Sequence, residues 1–378
     1  AMIMSNASYF DTGENESRKI FYNTLSHDNL FNESPIEITL DRIAAKIAVE
    51  EDNSLSLAPV KVNGDKELNL QLEGWGVTAT DKSTFLIKQF PGTYSELLSF
   101  LGEWEWNNQV NKTFHWARSV NYDSEKRTEE IDFITLPDAS QGFGNSIYTH
   151  ESTRSHTDES SNILNPAVVL AGQYYDGESK LGTFYRFRNN GNDKIYTEEE
   201  YLSNFATSQD ILFTRNDDTS AIEKASVEEI TSLIGLSTPS QDVTETAIPD
   251  HFVSPQVKTT DVDQKFCDAE GSPYDMQRLN TVLFKKYNLL EKYHEGKCLF
   301  IVPVIHKSLP GKTFFGLVRN HSYVLTIKNI SGFGRGVASE NSKIMDEEIP
   351  EMPSSYTINT TLLINDWHEI EQEIDIQE

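Results

Sequence analysis

Large apolar side chains recur at every second position over Tyr323, Leu325 and Ile327, with Val324, Thr326 and Lys328 between them. That period of two predicts a strand with one buried face. Gly332, Gly334 and Gly336 then break the pattern, which predicts a bulge or sharp turn at a sheet edge. The end of the sequence alternates more sharply still. Ile370, Ile374 and Ile376 fall on one side, and Glu369, Glu371, Glu373 and Asp375 on the other. A strand this amphipathic needs an apolar groove, in its own molecule or in the next one.

Upstream, residues 35–51 alternate as Ile36, Ile38 and Leu40, then shift register after Arg42 to Ile43, Ala45, Ile47 and Val49, as a β-bulge would require. Residues 68–90 predict one or two further strands, with Leu68, Leu70 and Leu72 on one face. Trp104, Trp106 and Trp116 close this all-β stretch; they suit a core or domain interface better than an exposed binding patch. The polar run NYDSEKRTEE then predicts a boundary near residue 125 and a protease-accessible loop, dividing the chain into residues 1–125 and 126–378.

Beyond the boundary, PAVVLAGQYYDG and GTFYRFRNN predict a hairpin turning at Asp176-Gly177. Helices are expected after Thr197, with Glu198, Glu199 and Glu200 in the first turn, and after Ser226, with Glu228 and Glu229 likewise placed. DMQRLNTVLFKKYNLLEKYHEG is a third helical stretch, although LNTVLFKKYNLL also suits a strand. KCLFIVPVIH reads as a strongly apolar strand. No repeat of fixed period and no low-complexity segment interrupts this order.

The chain has 378 residues, enough for two or three domains, and 59 acidic against 32 basic residues give it a net charge of −27. Phosphate backbones and anionic membranes would be repelled, so nucleic acid is excluded as a partner; the charge otherwise serves solubility. No stretch approaches the ~20 apolar residues of a membrane helix, and no signal peptide is present. AMIMSNASYF reads as a strand entered partway, which suggests a processed or truncated chain whose opening strands are missing.

The candidate chemistry is thin. Cys267 and Cys298 fit one disulfide or two inert thiols. His150, Glu151, His156, Asp158 and Glu159 crowd together without a metal-ligand spacing. Asp261, Asp263, Asp268 and Glu270 invite calcium but lack the ordered loop pattern. No nucleophile elbow or phosphate-binding loop occurs, so no catalytic residue, cofactor or metal is expected. Asn6, Asn111 and Asn359 stand in glycosylation sequons that matter only in a glycosylating host.

FFGLVRNHSYVLTIKNISGFGRG resembles the block that marks the C-terminal part of Bacteroidales fimbrillins, the shaft and accessory subunits of type V pili. Phe315, Gly316, Leu317, Val318, Arg319, Asn320 and His321 carry the likeness, followed by Tyr323, Leu325, Ile327, Ile330, Gly332 and Gly334. The ending resembles the family's final strand through Trp367, Ile370, Gln372, Ile374 and Ile376. KCLFIVPVIH, IMSNASYF and ITLDRIAAKIAV resemble other family segments more loosely, and the likeness is greatest to the minor-fimbrium shaft type.

The resemblance implies two transthyretin-like Greek-key β-sandwich domains, with short helices inserted in the second. It implies a lipoprotein precursor, cut by an Arg- or Lys-specific protease that removes a first strand. The vacated groove would accept the C-terminal strand of the next copy, so that a fimbrium attached to the outer membrane grows head to tail. Partners would be copies of itself, accessory subunits and a host or bacterial surface receptor, in adhesion, biofilm formation and virulence. The family's lipidated Cys and pro-segment are absent from this sequence. A non-polymerising tip or accessory adhesin that binds host protein or glycan is the alternative, and so is a tail folded onto its own sheet.

Overall fold

The computed structural model describes residues 4–6, 40–86, 118–122, 128–154, 165–189, 192–215, 221–258, 265–309, 312–344, 355–366 and 369–375. The fold is mostly β, built on two large sheets. In chain order their strands are β1 (Ala44–Leu57), β2 (Val60–Val62), β3 (Lys66–Thr78), β4 (Ser146–His150) and β5 (Ala167–Asp176). β6 (Lys297–Pro303), β7 (His321–Phe333), β8 (Arg335–Gly336), β9 (Ser355–Asp366) and β10 (Glu369–Asp375) complete the set.

One sheet runs β8–β6–β5–β3–β2 and the other β10–β9–β7–β1–β4. Every neighbouring pair is antiparallel except β7 with β1, which run parallel from Ser322 opposite Lys46 to Ile330 opposite Leu57. Each large sheet therefore contains strands from both sides of residue 125. Residues 123–127, where a boundary and a protease-accessible loop are expected from the sequence, lie outside the described residues, as do Trp104, Trp106 and Trp116.

The two sheets pack face to face. Ile47 and Val49 of β1 and Tyr323, Leu325, Ile327 and Ile330 of β7 meet Leu68 and Trp75 of β3, Leu170 and Tyr174 of β5, and Phe300 of β6. Their alternation is the sequence pattern made physical: Tyr323, Leu325 and Ile327 are buried, whereas Val324, Thr326 and Lys328 are half-exposed on the other face. β5 over Ala167–Gly172 and β6 over Cys298–Val302 are apolar because both of their faces are covered. Val168, Leu170 and Phe300 point into the inter-sheet core, and Val169, Ala171, Leu299 and Ile301 into a second cluster with Leu136 and Ile344.

Within residues 35–51 a bend at Ile43 separates a short strand Leu40–Arg42 from β1, in which Ala45, Ile47 and Val49 are buried; Ile36 and Ile38 lie outside the described residues. The glycine run is a corner rather than a bulge at one edge. Gly334 carries the chain out of β7 in one sheet and into β8 in the other. A Cβ at Gly334 would lie 2.8 Å from the Phe300 ring, and one at Gly336 would lie 2.3 Å from the Lys292 carbonyl. Tyr174 and Tyr293 hold the corner, the former accepting the Gly334 N–H at 3.0 Å and the latter donating to the Gly334 carbonyl at 2.8 Å.

The predicted helices form, with the predicted caps. They are α1 (Glu198–Ser208), α2 (Val227–Leu233) and α3 (Met276–Lys286). Thr197 and Glu200 bond reciprocally, as do Ser226 and Glu229. Asp275 caps α3, which settles LNTVLFKK as helix; the chain returns to strand at Leu290–Tyr293. The three helices share a core of Leu202, Phe205, Ile230, Leu279 and Leu283. The hairpin expected around Asp176 is smaller than predicted. β5 turns back through Gly177 onto Ser179–Lys180, while Phe184–Phe187 joins a separate sheet with Leu290–Tyr293. No helix among the described residues is long and apolar enough to cross a membrane.

Leu170 is fully buried between the sheets. Leu170→Ala should cost about 2–5 kcal/mol, read as a lower midpoint in chemical denaturation. A loss under about 1 kcal/mol would show that the two sheets do not share this core.

Candidate functional site

The block from Arg319 to Tyr323 sits where the parallel pair β7–β1 begins, and each of its polar residues has a structural task. Arg319 is 1% exposed and pairs through Nε with Oε2 of fully buried Glu151 at 2.9 Å. The Arg319 backbone N–H reaches the other Glu151 oxygen at 3.2 Å. Nη2 donates to the Phe85 carbonyl at 2.8 Å and to Thr84 Oγ1 at 3.2 Å, and Nη1 to the Leu86 carbonyl at 3.4 Å. A planar cation with several fixed donors is suited to this, since it neutralises one carboxylate and still holds a second chain segment.

Asn320 turns the chain in the left-handed region, at φ 63°, where Asn is tolerated better than branched residues. Its N–H donates to the Ala44 carbonyl at 2.9 Å, and its side-chain oxygen accepts from the Arg42 N–H at 3.4 Å. The turn thereby aligns the first residues of β1 and β7. His321 returns Nδ1 to the Arg319 carbonyl at 2.8 Å. Tyr323 accepts the Val318 N–H at 2.8 Å and lies 2.8 Å from His306 Nδ1. Burial pushes the Tyr323 hydroxyl well above its usual pKa, so it stays protonated and can donate to His306.

A second buried ion pair adjoins the first. Arg154 meets Asp81 at 2.8 Å and also donates to the Ala79 carbonyl at 2.9 Å. Ser152 and Asn121 supply further bonds to Asp81 through its backbone N–H and its carboxylate. A third network joins the smaller sheet to β8: Glu291 takes Arg186 at 3.2 Å, Arg188 at 3.1 Å and the Gly336 N–H at 2.8 Å. Burial alone would push the Glu291 carboxyl up, but Arg188 and Arg186 hold it below the usual carboxylate range. None of these three networks was visible in the sequence. Their partners lie up to 235 positions apart, as Thr84 and Arg319 do.

The other sequence candidates resolve simply. Glu151 is consumed by Arg319, and His150 Nδ1 lies against the Asp81 carbonyl at 3.1 Å. His156, Asp158 and Glu159 are outside the described residues, as are Asp261 and Asp263. Asp268 accepts two backbone N–H groups and pairs with Arg278 at 3.1 Å, so it is spoken for as a turn residue. Among the described residues no cluster of metal-binding side chains occurs. Cys267 and Cys298 are buried free thiols, and Cys298 lies in the core between the sheets.

The C-terminal strand lies on the outside of its sheet. Among the described residues β10 pairs with β9 alone, antiparallel, with Ile370 opposite Ile364, Gln372 opposite Leu362 and Ile374 opposite Thr360. Trp367 and Ile376 fall outside the described residues. The other outer strand of this sheet is β4.

Residues 291–373 match the family described as major fimbrial subunit protein type IV, fimbrillin, C-terminal. The matched stretch runs from β6 through β9 into β10 and includes the Arg319 block. Over that stretch, 83 of the 378 residues, the chain is similar to the C-terminal part of fimbrillins. No curated protein matches the chain.

Removing one partner of the Arg319–Glu151 pair leaves a buried, uncompensated charge. Arg319→Met or Glu151→Leu alone should cost about 3–5 kcal/mol in urea denaturation, and the double variant should lose less than the sum. Strictly additive losses would show that the two groups are not coupled.

Acid should weaken the fold in two steps. Burial lowers the His251 imidazole below its ordinary 6.5, so the unfolded chain binds a proton first as pH falls below that value. Stability is thus highest above pH 6.5 and declines below it; His251→Gln should flatten this first decline. The depressed Glu291 carboxyl adds stability that is present above its unfolded value of 4.5 and is lost as pH falls further. A denaturation midpoint constant from pH 7 to pH 4 would contradict both assignments.

Proposed function

We propose that this chain is a structural subunit of a cell-surface fimbrium, with no catalytic role, and that its C-terminal strand joins one copy to the next. The observation that carries the reading is the position of β10. An element inside the fimbrillin match is also the outermost strand of a large sheet, paired on one side only among the described residues. Such a strand can be transferred to another molecule with little loss, because the same backbone bonds form there. Trp367, Ile370, Gln372, Ile374 and Ile376 are the donor residues in this reading. Three isoleucines at about 1.5–3 kcal/mol each, with a ladder of backbone bonds, would make the joint slow to dissociate. A head-to-tail contact that does not close gives a filament rather than a ring.

The finer picture follows the family resemblance: a transthyretin-like, Greek-key organisation, passage through a lipoprotein precursor to the outer membrane, company with accessory subunits, and adhesion and biofilm formation through a surface receptor. The net charge of −27 favours a protein or glycan receptor over nucleic acid.

Deleting residues 368–378, or replacing Ile370, Ile374 and Ile376 together with Asp, should leave a folded monomer that no longer extends fibres. Size-exclusion chromatography and electron microscopy beside the unaltered protein give the readout. A truncated chain that still forms fibres, or that unfolds, would sink the donor role.

A further inference from the structure

We propose that the Asn63–Gly64 turn is a latent modification site: a clasp onto the strand Lys194–Tyr196 holds back deamidation of Asn63, and deamidation, once it occurs, opens that clasp irreversibly. Asn63 follows β2 at the exposed tip of the β2–β3 hairpin and lies in the left-handed region, at φ 50°. Gly64 comes next at φ 92°, with open space where a Cβ would stand.

The Asn63 side chain reaches Ile195, 132 positions on. Its Oδ1 accepts the Ile195 N–H at 3.0 Å, and its Nδ2 donates to the Ile195 carbonyl at 3.3 Å. The Asn63 backbone N–H donates to the Asp193 carbonyl at 2.9 Å. A carboxamide carries the same donor and acceptor as a peptide unit, so Asn63 pairs with Ile195 as one more residue of a sheet would. Lys194–Tyr196 is the outer strand of the five-stranded smaller sheet, and Asn63 takes up the Ile195 backbone groups on the side away from Phe184–Phe187. The clasp ties the hairpin of one large sheet to the strand that leads into Thr197, the cap of α1.

The same turn is set up for a reaction. The Gly64 backbone nitrogen attacks the side-chain carbonyl carbon of Asn63. That C–N bond forms, the bond to the side-chain nitrogen breaks, and ammonia leaves with the Gly64 amide proton. Solvent water then opens the cyclic imide at either carbonyl and leaves aspartate or isoaspartate in place of asparagine. Gly64 favours ring closure because it has no side chain to obstruct it. The clasp opposes it, since two hydrogen bonds to Ile195 must be released before the carbon can swing onto the Gly64 nitrogen. Local opening of this one contact therefore sets the rate in the folded chain.

The product does not restore the clasp. A carboxylate has no N–H for the Ile195 carbonyl and sets an oxygen against it. It also adds negative charge beside Asp65 and close to Asp193, whose own carboxylate is already engaged by Arg186 and the Asn189 N–H. Isoaspartate goes further and lengthens the backbone between β2 and β3.

The test is incubation of the full chain in mild alkali, folded and in urea, with peptide mapping by mass spectrometry. The mapping follows Asn63 apart from Asn190, which also precedes a glycine. With two hydrogen bonds to break, conversion at Asn63 should be about tenfold slower in the folded chain. Equal rates would overturn the holding role of the clasp, and no conversion in urea would overturn the site. Ile195→Pro, which removes the N–H that Asn63 accepts, should bring the folded rate toward that in urea; an unchanged rate would again count against the clasp. If that variant fails to fold, the comparison in the unaltered chain decides alone. Hydrogen exchange of the Ile195 amide reads the clasp directly. It should be slow in fresh protein, faster after conversion, and fast from the start in Asn63→Asp. Slow exchange in both altered forms would overturn the release.

Discussion

The fold depends on one alignment, the parallel pairing of β1 with β7. Two strands separated by more than 250 positions must meet in register, and parallel pairing has no tight turn to set that register. The Arg319 block does this instead. Asn320 fixes the first residues of both strands against each other, while Arg319 pins Glu151 and the Thr84–Leu86 backbone behind them. Everything built on β7, including β9, β10 and the glycine corner into the facing sheet, inherits its position from that contact.

A burial this complete makes the ion pair a specificity device more than a source of net stability. Desolvating two charges offsets much of their attraction, so a well-packed apolar pair would serve the bulk energetics as well. What the charges add is a penalty for misalignment. A slip of one residue along β1 would leave Arg319 and Glu151 buried without partners and would turn Tyr323, Leu325 and Ile327 out of the core.

Local structure was legible where neighbours in sequence decide it. The period of two in Tyr323–Lys328 and the caps Thr197 and Ser226 are set within a few residues, and they appear as the sequence implies. Partnership across the chain was not legible. Nothing near Arg319 announces Glu151, and nothing near β1 announces β7, because such contacts are decided by topology. The glycine run shows the boundary between the two cases: its break in pattern was evident, but a corner between sheets needs knowledge of Phe300 and Tyr174 on other strands. The candidate site divides in the same way. The alternation in residues 369–375 marked an amphipathic strand, whereas its place beside β9 follows only from the order of the sheet.

The central claim is that the C-terminal strand is an intermolecular element. Hydrogen exchange of the amides in residues 369–375, compared between isolated subunits and assembled fibres, addresses it directly. The account predicts fast exchange in the monomer, where β10 is held from one side, and strong protection in the fibre. Equal protection in both states would place the strand permanently in its own sheet and contradict the claim.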